Sequence, residues 1–191
     1  ATRVETPAGG LFVYEDTRGE GAPVVLVHSV NAAASSYEMR PVFEALRGKR
    51  PVLAFDLPGF GLSERGPRRY DRALYRDAIL AMIERAHTHR GIPADVVALS
   101  LGCEFAATAA LSRPERVRSL TLISPTGFGR PRETPQRAAA EGRAGTLERT
   151  LETPIVGAPL YSLIASRPSI RYFLSKSFVG PVDRGLERYA W

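Results

Sequence analysis

Residues 96–105 indicate a strand, a very tight turn and a helix in direct succession, and they are the most informative stretch of this sequence. The short apolar run 96–99 ends at Ser100, with Ala98 two residues before the serine and Gly102 two residues after it. A helical pattern begins directly after this turn. A serine at such an apex is exposed at the carboxyl end of the strand, beside the unpaired N–H groups of the helix. This position suits a nucleophile, yet no histidine follows Ser100 in the sequence.

Short apolar runs alternate with helical patterns through the first two thirds of the chain. The pattern predicts strands at 11–14, 24–28, 51–56, 96–99 and 120–123, and helices at 36–48, 72–89 and 101–111. Continuous apolar runs such as 24–28 are typical of strands buried on both faces. Alternating strands and helices predict an α/β three-layer sandwich with a mostly parallel sheet. Ligands bind such sheets at the carboxyl ends of the strands, where His28, Asp56 and Ser100 lie.

Composition points to a globular chain without a membrane anchor. Of the 191 residues, 44% are apolar, which is enough for one domain with an additional segment. No apolar run approaches the roughly 20 residues of a membrane-spanning helix, and the N-terminus lacks the pattern of a secretory signal. The single cysteine, Cys103, cannot form an internal disulfide. We therefore expect a reducing, cytoplasmic location.

The net charge of +6 comes almost entirely from arginine, because Lys49 and Lys176 are the only lysines. The arginines are scattered among acidic residues, whereas a nucleic-acid-binding surface collects them in a stripe interleaved with aromatic residues. We therefore predict a solvated basic surface and no nucleic-acid partner. The sequence contains no cluster of metal-ligating residues, so it predicts no metal and no organic cofactor.

The character of the sequence changes after Gly129. Residues 130–153 are polar and rich in arginine, glutamate and alanine, and residues 154–182 mix proline and glycine with apolar and aromatic residues. Neither segment has the alternation of a strand. We predict a core over residues 1–129 and a helical cap over residues 130–191, lying over the strand ends. The alternative, in which these helices only complete the core, stays open.

Three loops follow predicted strands, and each carries a short motif: His-Ser-Val at 28–30, Asp-Leu-Pro-Gly-Phe-Gly-Leu-Ser at 56–63, and Ala-Leu-Ser-Leu-Gly at 98–102. Together these motifs resemble those of the α/β-hydrolase superfamily. Residues 56–63, Asp-Leu-Pro-Gly-Phe-Gly-Leu-Ser, match the family's D-x-P-G-x-G-x-S signature in full. Residues 28–30 match its H-G-x segment, with Ser29 in place of the usual glycine. Residues 98–102 match its nucleophile elbow, with Ala98 in place of the first glycine. The resemblance covers residues 10–129 and implies the family's three-layer sandwich with a helical cap.

The resemblance implies a role for each of these residues. Ser100 would attack a carbonyl carbon, and the backbone N–H groups of Leu101 and Val30 would stabilise the oxyanion. The Ser29 hydroxyl is a candidate third donor. His28 and Asp56 are expected to support their loops. The alternative roles, His28 as the base and Asp56 as the triad acid, fit less well because the family's base lies after its last strand.

A serine at the elbow favours acyl chemistry. Family members that open epoxides or displace halide resemble this chain but use aspartate there. The resemblance therefore implies hydrolysis of an ester, thioester or amide, or cleavage of an activated C–C bond. We expect a small or medium acyl substrate of some apolar character, entering beneath the cap.

The resemblance also implies parts that these residues do not supply. The family's sheet has eight strands, its triad acid follows the seventh or sixth strand, and its histidine follows the eighth. The sequence predicts about six strands before the cap. We therefore expect base and acid to come from a C-terminal portion of the same protein or from a second chain, and the 191 residues alone to be nearly inactive. The alternative is a non-catalytic member that binds a ligand or a protein on the same scaffold.

Overall fold

The computed structural model describes residues 1–31 and 34–126, together with single residues and pairs between 159 and 172. Contacts between residues divide the chain into two units, 1–129 and 130–191. The sheet and its helices belong to the first unit. The predicted helical cap falls almost entirely outside the described residues, so it stays a prediction.

The described residues contain one mixed sheet of six strands, ordered β1-β2-β4-β3-β5-β6. The strands are β1 (Thr2–Thr6), β2 (Gly9–Asp16), β3 (Val24–Val27), β4 (Val52–Phe55), β5 (Ala94–Leu99) and β6 (Val117–Ile123). β4, β3, β5 and β6 run parallel, whereas β2 pairs antiparallel with β1 and with β4. The prediction of a mostly parallel sheet is confirmed.

Three α-helices connect the parallel strands: α1 (Arg40–Leu46), α2 (Arg72–Arg90) and α3 (Gly102–Ser112). A 3-10 turn, Ser36–Met39, precedes α1, and a second one, Pro114–Arg116, precedes β6. The Asp71 side chain caps the start of α2 by accepting a hydrogen bond from the Leu74 N–H at 3.1 Å. Gly91 ends this helix with a φ of 68°, a left-handed conformation that glycine adopts without strain. None of the described helices is both long and apolar enough to cross a lipid bilayer.

Each face of the sheet has its own core. Val25 and Val27 of β3 pack in the cluster that contains the buried residues of α2 and α3. Val24 and Leu26 pack in the other cluster, with Met39 and the apolar residues of α1. Because successive side chains of a strand point to opposite faces, a strand covered on both sides needs a continuous apolar run. The predicted three-layer sandwich is confirmed.

The strand order opens a crevice between the carboxyl ends of β3 and β5. These strands are neighbours and run parallel, with Val27 opposite Ala98. After β3 the chain leaves toward the face covered by α1, and after β5 it leaves toward the face covered by α2 and α3. Neighbouring connections that diverge in this way form the ligand-binding crevice of open α/β sheets. The loop that starts at His28 and the turn at Ser100 border this crevice.

Candidate active site

Ser100 lies at the turn between β5 and α3 in a strained conformation. Its φ is 53°, in the left-handed region that residues with a side chain rarely adopt. Its N–H donates to the Ile123 carbonyl oxygen at 2.9 Å, and its carbonyl accepts from the Thr126 N–H at 3.3 Å. The last residue of β6 and the segment that follows it therefore hold the N–H and the carbonyl of the serine. Strain of this kind costs on the order of 1–3 kcal/mol and is concentrated at functional sites.

Gly102 allows α3 to begin directly against the end of β3. A Cβ at this position would overlap the carbonyl oxygen of His28 and lie 3.3 Å from Cγ1 of Val27. The small residue two positions after Ser100 is thus required by contact between helix and strand, and that contact places the start of α3 beside the His28 loop.

Two backbone N–H groups near Ser100 have no hydrogen-bond acceptor among the described residues. The N–H groups of Cys103 and Glu104 are used by the carbonyls of Ser100 and Leu101, both at 3.1 Å. By contrast, neither the Leu101 N–H nor the Val30 N–H donates to any other group in the described part of the chain. These are the two donors that the sequence assigns to the oxyanion, and that assignment stays a prediction.

His28 is completely buried and holds two loops by its ring nitrogens. Nε2 accepts a hydrogen bond from the Leu57 N–H at 2.9 Å, so the ring proton is assigned to Nδ1, which lies 2.6 Å from the Ser29 carbonyl oxygen. Burial lowers the pKa of His28 below its ordinary value of 6.5, and the imidazole is neutral at pH 7. Because both nitrogens are engaged, neither can accept the Ser100 proton in this structure.

Asp56, only 1% exposed, organises the loop after β4. Oδ1 accepts from the Ser36 N–H at 2.8 Å and Oδ2 from the Leu62 N–H at 2.9 Å. A Cβ on Gly61 would overlap the carboxylate, which explains the glycine in the signature. The Ser63 hydroxyl donates to the Asp56 carbonyl oxygen at 2.5 Å. Both carboxylate oxygens of Asp56 therefore accept hydrogen bonds from backbone N–H groups of the loops.

The Ser29 hydroxyl has another acceptor in place of the oxyanion. It donates to Oε1 of Glu38 at 2.9 Å, while the Ser29 N–H donates to Oε2 at the same distance. The suggested third oxyanion donor thus supports the loop instead, because its single proton is engaged by Glu38. Glu38 is not predictable as a site residue from the sequence, since no motif marks it and its contact with Ser29 depends on the fold.

The remaining polar and aromatic residues near Ser100 have structural contacts. Glu104 forms an ion pair with Arg72 at 2.6 Å, joining the first turns of α3 and α2. Cys103 is buried, and burial raises the pKa of its thiol, so it is a poor nucleophile. The Phe60 ring lies edge-on to the His28 ring at 5.6 Å and belongs to the core. Within the described residues, no three metal-ligating side chains are grouped to hold an ion.

Comparison with known proteins agrees with this geometry. The family model described as alpha/beta hydrolase fold matches residues 22–158. This chain belongs to the α/β hydrolase family. The predicted superfamily and fold class are therefore confirmed.

This α/β hydrolase resembles curated enzymes over part of their length. It is 30% identical over 129 residues to 2-hydroxymuconate semialdehyde hydrolase of Pseudomonas sp. strain CF600, covering 66% of this chain and 44% of that protein. It is 32% identical over 161 residues to pimeloyl-[acyl-carrier protein] methyl ester esterase of Chromobacterium violaceum, covering 78% and 59%. A haloalkane dehalogenase of Agrobacterium fabrum is 30% identical over 128 residues, covering 65% and 40%. The chain spans about half the length of these relatives.

The same architecture recurs among solved structures. The crystal structure of a hydrolase from Pseudomonas aeruginosa PA01 matches with a TM-score of 0.68 at 20% identity, covering 99% of this α/β hydrolase chain and 64% of that one. An N-formylmaleamic acid deformylase from Pseudomonas putida S16, with a serine-to-alanine substitution, matches with a TM-score of 0.54 at 24% identity, covering 74% and 54%. At such identities the similarity shows the fold alone.

Proposed function

We propose that this chain carries the nucleophile and the oxyanion donors of a serine hydrolase that cleaves an ester, thioester or related acyl bond. Oγ of Ser100 attacks the carbonyl carbon, and the N–H groups of Leu101 and Val30 bind the oxyanion of the tetrahedral adduct. Collapse of the adduct expels the leaving group and leaves an acyl-enzyme, which water then hydrolyses. The observation that carries this proposal is the left-handed Ser100 at the start of α3, with φ 53°.

The base and the acid of this proposal come from residues beyond the 191 of this chain, in a C-terminal portion of the same protein or in a second chain. His28 is neutral, and both its nitrogens are engaged. His87 and His89 lie in the last turn of α2, just before β5 begins. They are therefore near the amino-terminal end of β5, whereas Ser100 follows its carboxyl end. No described histidine is therefore placed to accept the serine proton.

The nature of the nucleophile favours acyl transfer over halide displacement. A serine oxygen that displaced halide from an alkyl carbon would form an ether, which water does not readily cleave. A serine oxygen that attacks a carbonyl forms an ester, which the same oxyanion donors help to hydrolyse. Although one relative is a haloalkane dehalogenase, the serine at the elbow supports acyl cleavage as the reaction that we propose.

Chemical rescue tests the proposal with the chain as it stands. Hydrolysis of a p-nitrophenyl ester is followed while imidazole is added as an external base, in the wild type and in the Ser100→Ala and Ser124→Ala variants. We expect imidazole to accelerate the wild type and Ser124→Ala beyond the background that Ser100→Ala defines. Equal rates in all three proteins at every imidazole concentration would contradict the proposal.

A second candidate is a non-catalytic member that holds an acyl ligand on the same scaffold. The engagement of both ring nitrogens of His28 by loop backbone favours it, because this histidine then cannot activate Ser100. The ester would raise the melting temperature of a binding protein, and the protein would leave the ester intact. The rescue experiment separates the two, because only the hydrolase gives release of p-nitrophenol that depends on Ser100.

A further inference from the structure

The carboxylate of Glu38 holds the loop that follows β3. Oε2 accepts a hydrogen bond from the Ser29 N–H at 2.9 Å, and Oε1 accepts from the Ser29 hydroxyl and from Nδ2 of Asn31, each at 2.9 Å. Nδ2 of Asn31 also donates to the Ser29 hydroxyl at 2.6 Å. These hydrogen bonds join Glu38 to the residues on either side of Val30 and hold residues 29–31 of the loop in place.

Val30 lies between the two residues that Glu38 holds. The Val30 N–H belongs to the same peptide group as the Ser29 carbonyl, and Nδ1 of His28 lies 2.6 Å from that carbonyl oxygen. A donor to the carbonyl fixes the plane of the peptide and polarises its N–H. Glu38 fixes the adjoining Ser29 N–H on one side and the Asn31 side chain on the other. The direction of the Val30 N–H is therefore set before a substrate arrives.

We propose that Glu38 is a positioning residue for the Val30 oxyanion donor, a role that rests on the function proposed above. Oxyanion donors accelerate a reaction because they point at the developing charge without reorganising. Glu38 does not touch the reacting atoms. It acts through Ser29 and Asn31, which flank the donor.

A carboxylate suits this position because both of its oxygens accept hydrogen bonds in the observed network. Oε2 faces the Ser29 N–H, and Oε1 faces the Asn31 amide nitrogen. Glutamine offers one oxygen and one NH2 group. If its NH2 group faces the Ser29 N–H, that hydrogen bond is lost. If its NH2 group faces Asn31 instead, the Asn31 amide and the Ser29 hydroxyl must turn to accept from it. Glu38→Gln thus changes the observed network in either orientation while leaving the volume of the side chain almost unchanged.

The support for Glu38 is itself rigid. The 3-10 turn Ser36–Met39 carries it, and Met39 is 1% exposed in the core beneath α1. The Ser36 N–H at the other end of the turn donates to the buried carboxylate of Asp56 at 2.8 Å. Because the turn is held at both ends, it fixes the position of the Glu38 backbone.

The test compares Glu38→Gln with Glu44→Gln, which removes the same charge from α1. The Glu44 side chain is 49% exposed and pairs only with Arg47 among the described residues, at 3.5 Å. We expect kcat of the Ser100-dependent ester hydrolysis, with imidazole as base, to fall about 10- to 100-fold in Glu38→Gln, with KM unchanged. Affinity for a trifluoromethyl ketone, which forms an oxyanion, should fall in proportion. Glu44→Gln should match the wild type. An unchanged kcat, or a change confined to KM, would overturn the proposal.

An NMR readout keeps this test separate from the test of the proposed function. If the wild type shows no hydrolysis that depends on Ser100, the proposed function fails, and the amide resonance of Val30 decides the role of Glu38. Glu38→Gln should then shift that resonance and accelerate hydrogen exchange at Ser29, and an unchanged spectrum at both positions would refute the role. Asn31→Ala, a change at an exposed side chain, should act in the same direction should Glu38→Gln fail to fold.

Discussion

Ser100 and Ser124 adopt the same left-handed backbone conformation, with φ angles of 53° and 46°. They follow the last residues of two paired strands, β5 and β6, in which Leu99 lies opposite Ile123. The residues after them differ. Leu101 has a backbone N–H, which our proposal assigns to the oxyanion, whereas Pro125 has none. Of these two strained serines, Ser100 is therefore the one that suits the proposed acyl transfer.

Strain at these serines predicts a stability difference between two variants of each. At a left-handed position glycine is favoured over alanine by about 1 kcal/mol. We expect the free energy of unfolding, measured with urea, to be larger by that amount for Ser100→Gly than for Ser100→Ala. The same difference is expected between Ser124→Gly and Ser124→Ala. Only the Ser100 changes should remove ester hydrolysis. Alanine variants as stable as the glycine variants would show that the backbone is relaxed there.

The contact between Gly102 and His28 predicts a cost for any side chain at position 102. A Cβ in Gly102→Ala would overlap the His28 carbonyl oxygen, so α3 must move away from β3. We expect a loss of about 1–3 kcal/mol in the free energy of unfolding. Gly66→Ala is the matched control, because the nearest atoms to its Cβ would lie 3.9 Å away and its φ is not left-handed. Equal stability of the two variants would refute the contact.

The buried imidazole of His28 predicts loss of stability in mild acid. Burial lowers the pKa of His28 in the folded chain, so below the unfolded value of 6.5 the unfolded chain binds a proton that the folded chain does not. The free energy of unfolding should fall as the pH decreases from 7 to 5, by up to about 1.4 kcal/mol per pH unit. His28→Asn should lose this component. Urea titrations of both proteins across that range check it, and parallel curves would contradict it.

Asp95 predicts a second component at lower pH, at the other end of β5 from Ser100. Burial alone raises the pKa of Asp95, but hydrogen bonds from Arg118, Ser119 and Arg50 outweigh it and lower the pKa to about 2. This stabilisation is present above the unfolded value of 3.8 and is lost as the pH falls through about 2. After allowance for solvent screening, Asp95→Asn should cost about 1–2 kcal/mol at pH 7.

The Asp95 change also separates stability from chemistry. Asp95 is the second residue of the strand β5 and lies far from its carboxyl end. Asp95→Asn should therefore leave the rate of Ser100-dependent ester hydrolysis unchanged at a temperature where the variant is folded. Kinetics at 10 °C below its melting temperature provide this comparison. A reduced rate in the folded variant would contradict this prediction, because it would mean that the salt bridges of Asp95 influence the site at Ser100.

The sequence predicts the parts of the fold that depend on local pattern. The strands β3, β4 and β5 are predictable because a strand that is buried on both faces is a continuous run of apolar residues. The strand β1, Thr-Arg-Val-Glu-Thr, is not predictable from the sequence, because most of its side chains are exposed at the edge of the sheet and its composition is that of a polar segment. It is a strand because it pairs with β2.

The site divides in the same way. Motif spacing predicts the turn at Ser100 and the loops at His28 and Asp56, because those motifs encode tight local geometry. The acceptor of the Ser29 hydroxyl is not predictable, since Glu38 reaches it only after β3 and the following turn have folded. The hydrogen bond between the Ser100 N–H and the Ile123 carbonyl likewise depends on the pairing of β5 with β6.

The central claim is that Ser100 is the nucleophile, and covalent labelling tests it most directly. The wild type, Ser100→Ala and Ser124→Ala are incubated with a fluorophosphonate in the presence of imidazole, and the intact masses are then measured. The account predicts one added phosphonyl group in the wild type and in Ser124→Ala, located at Ser100 by peptide mapping, and none in Ser100→Ala. Labelling of Ser100→Ala to the same extent as the wild type, or of neither protein, would contradict the account.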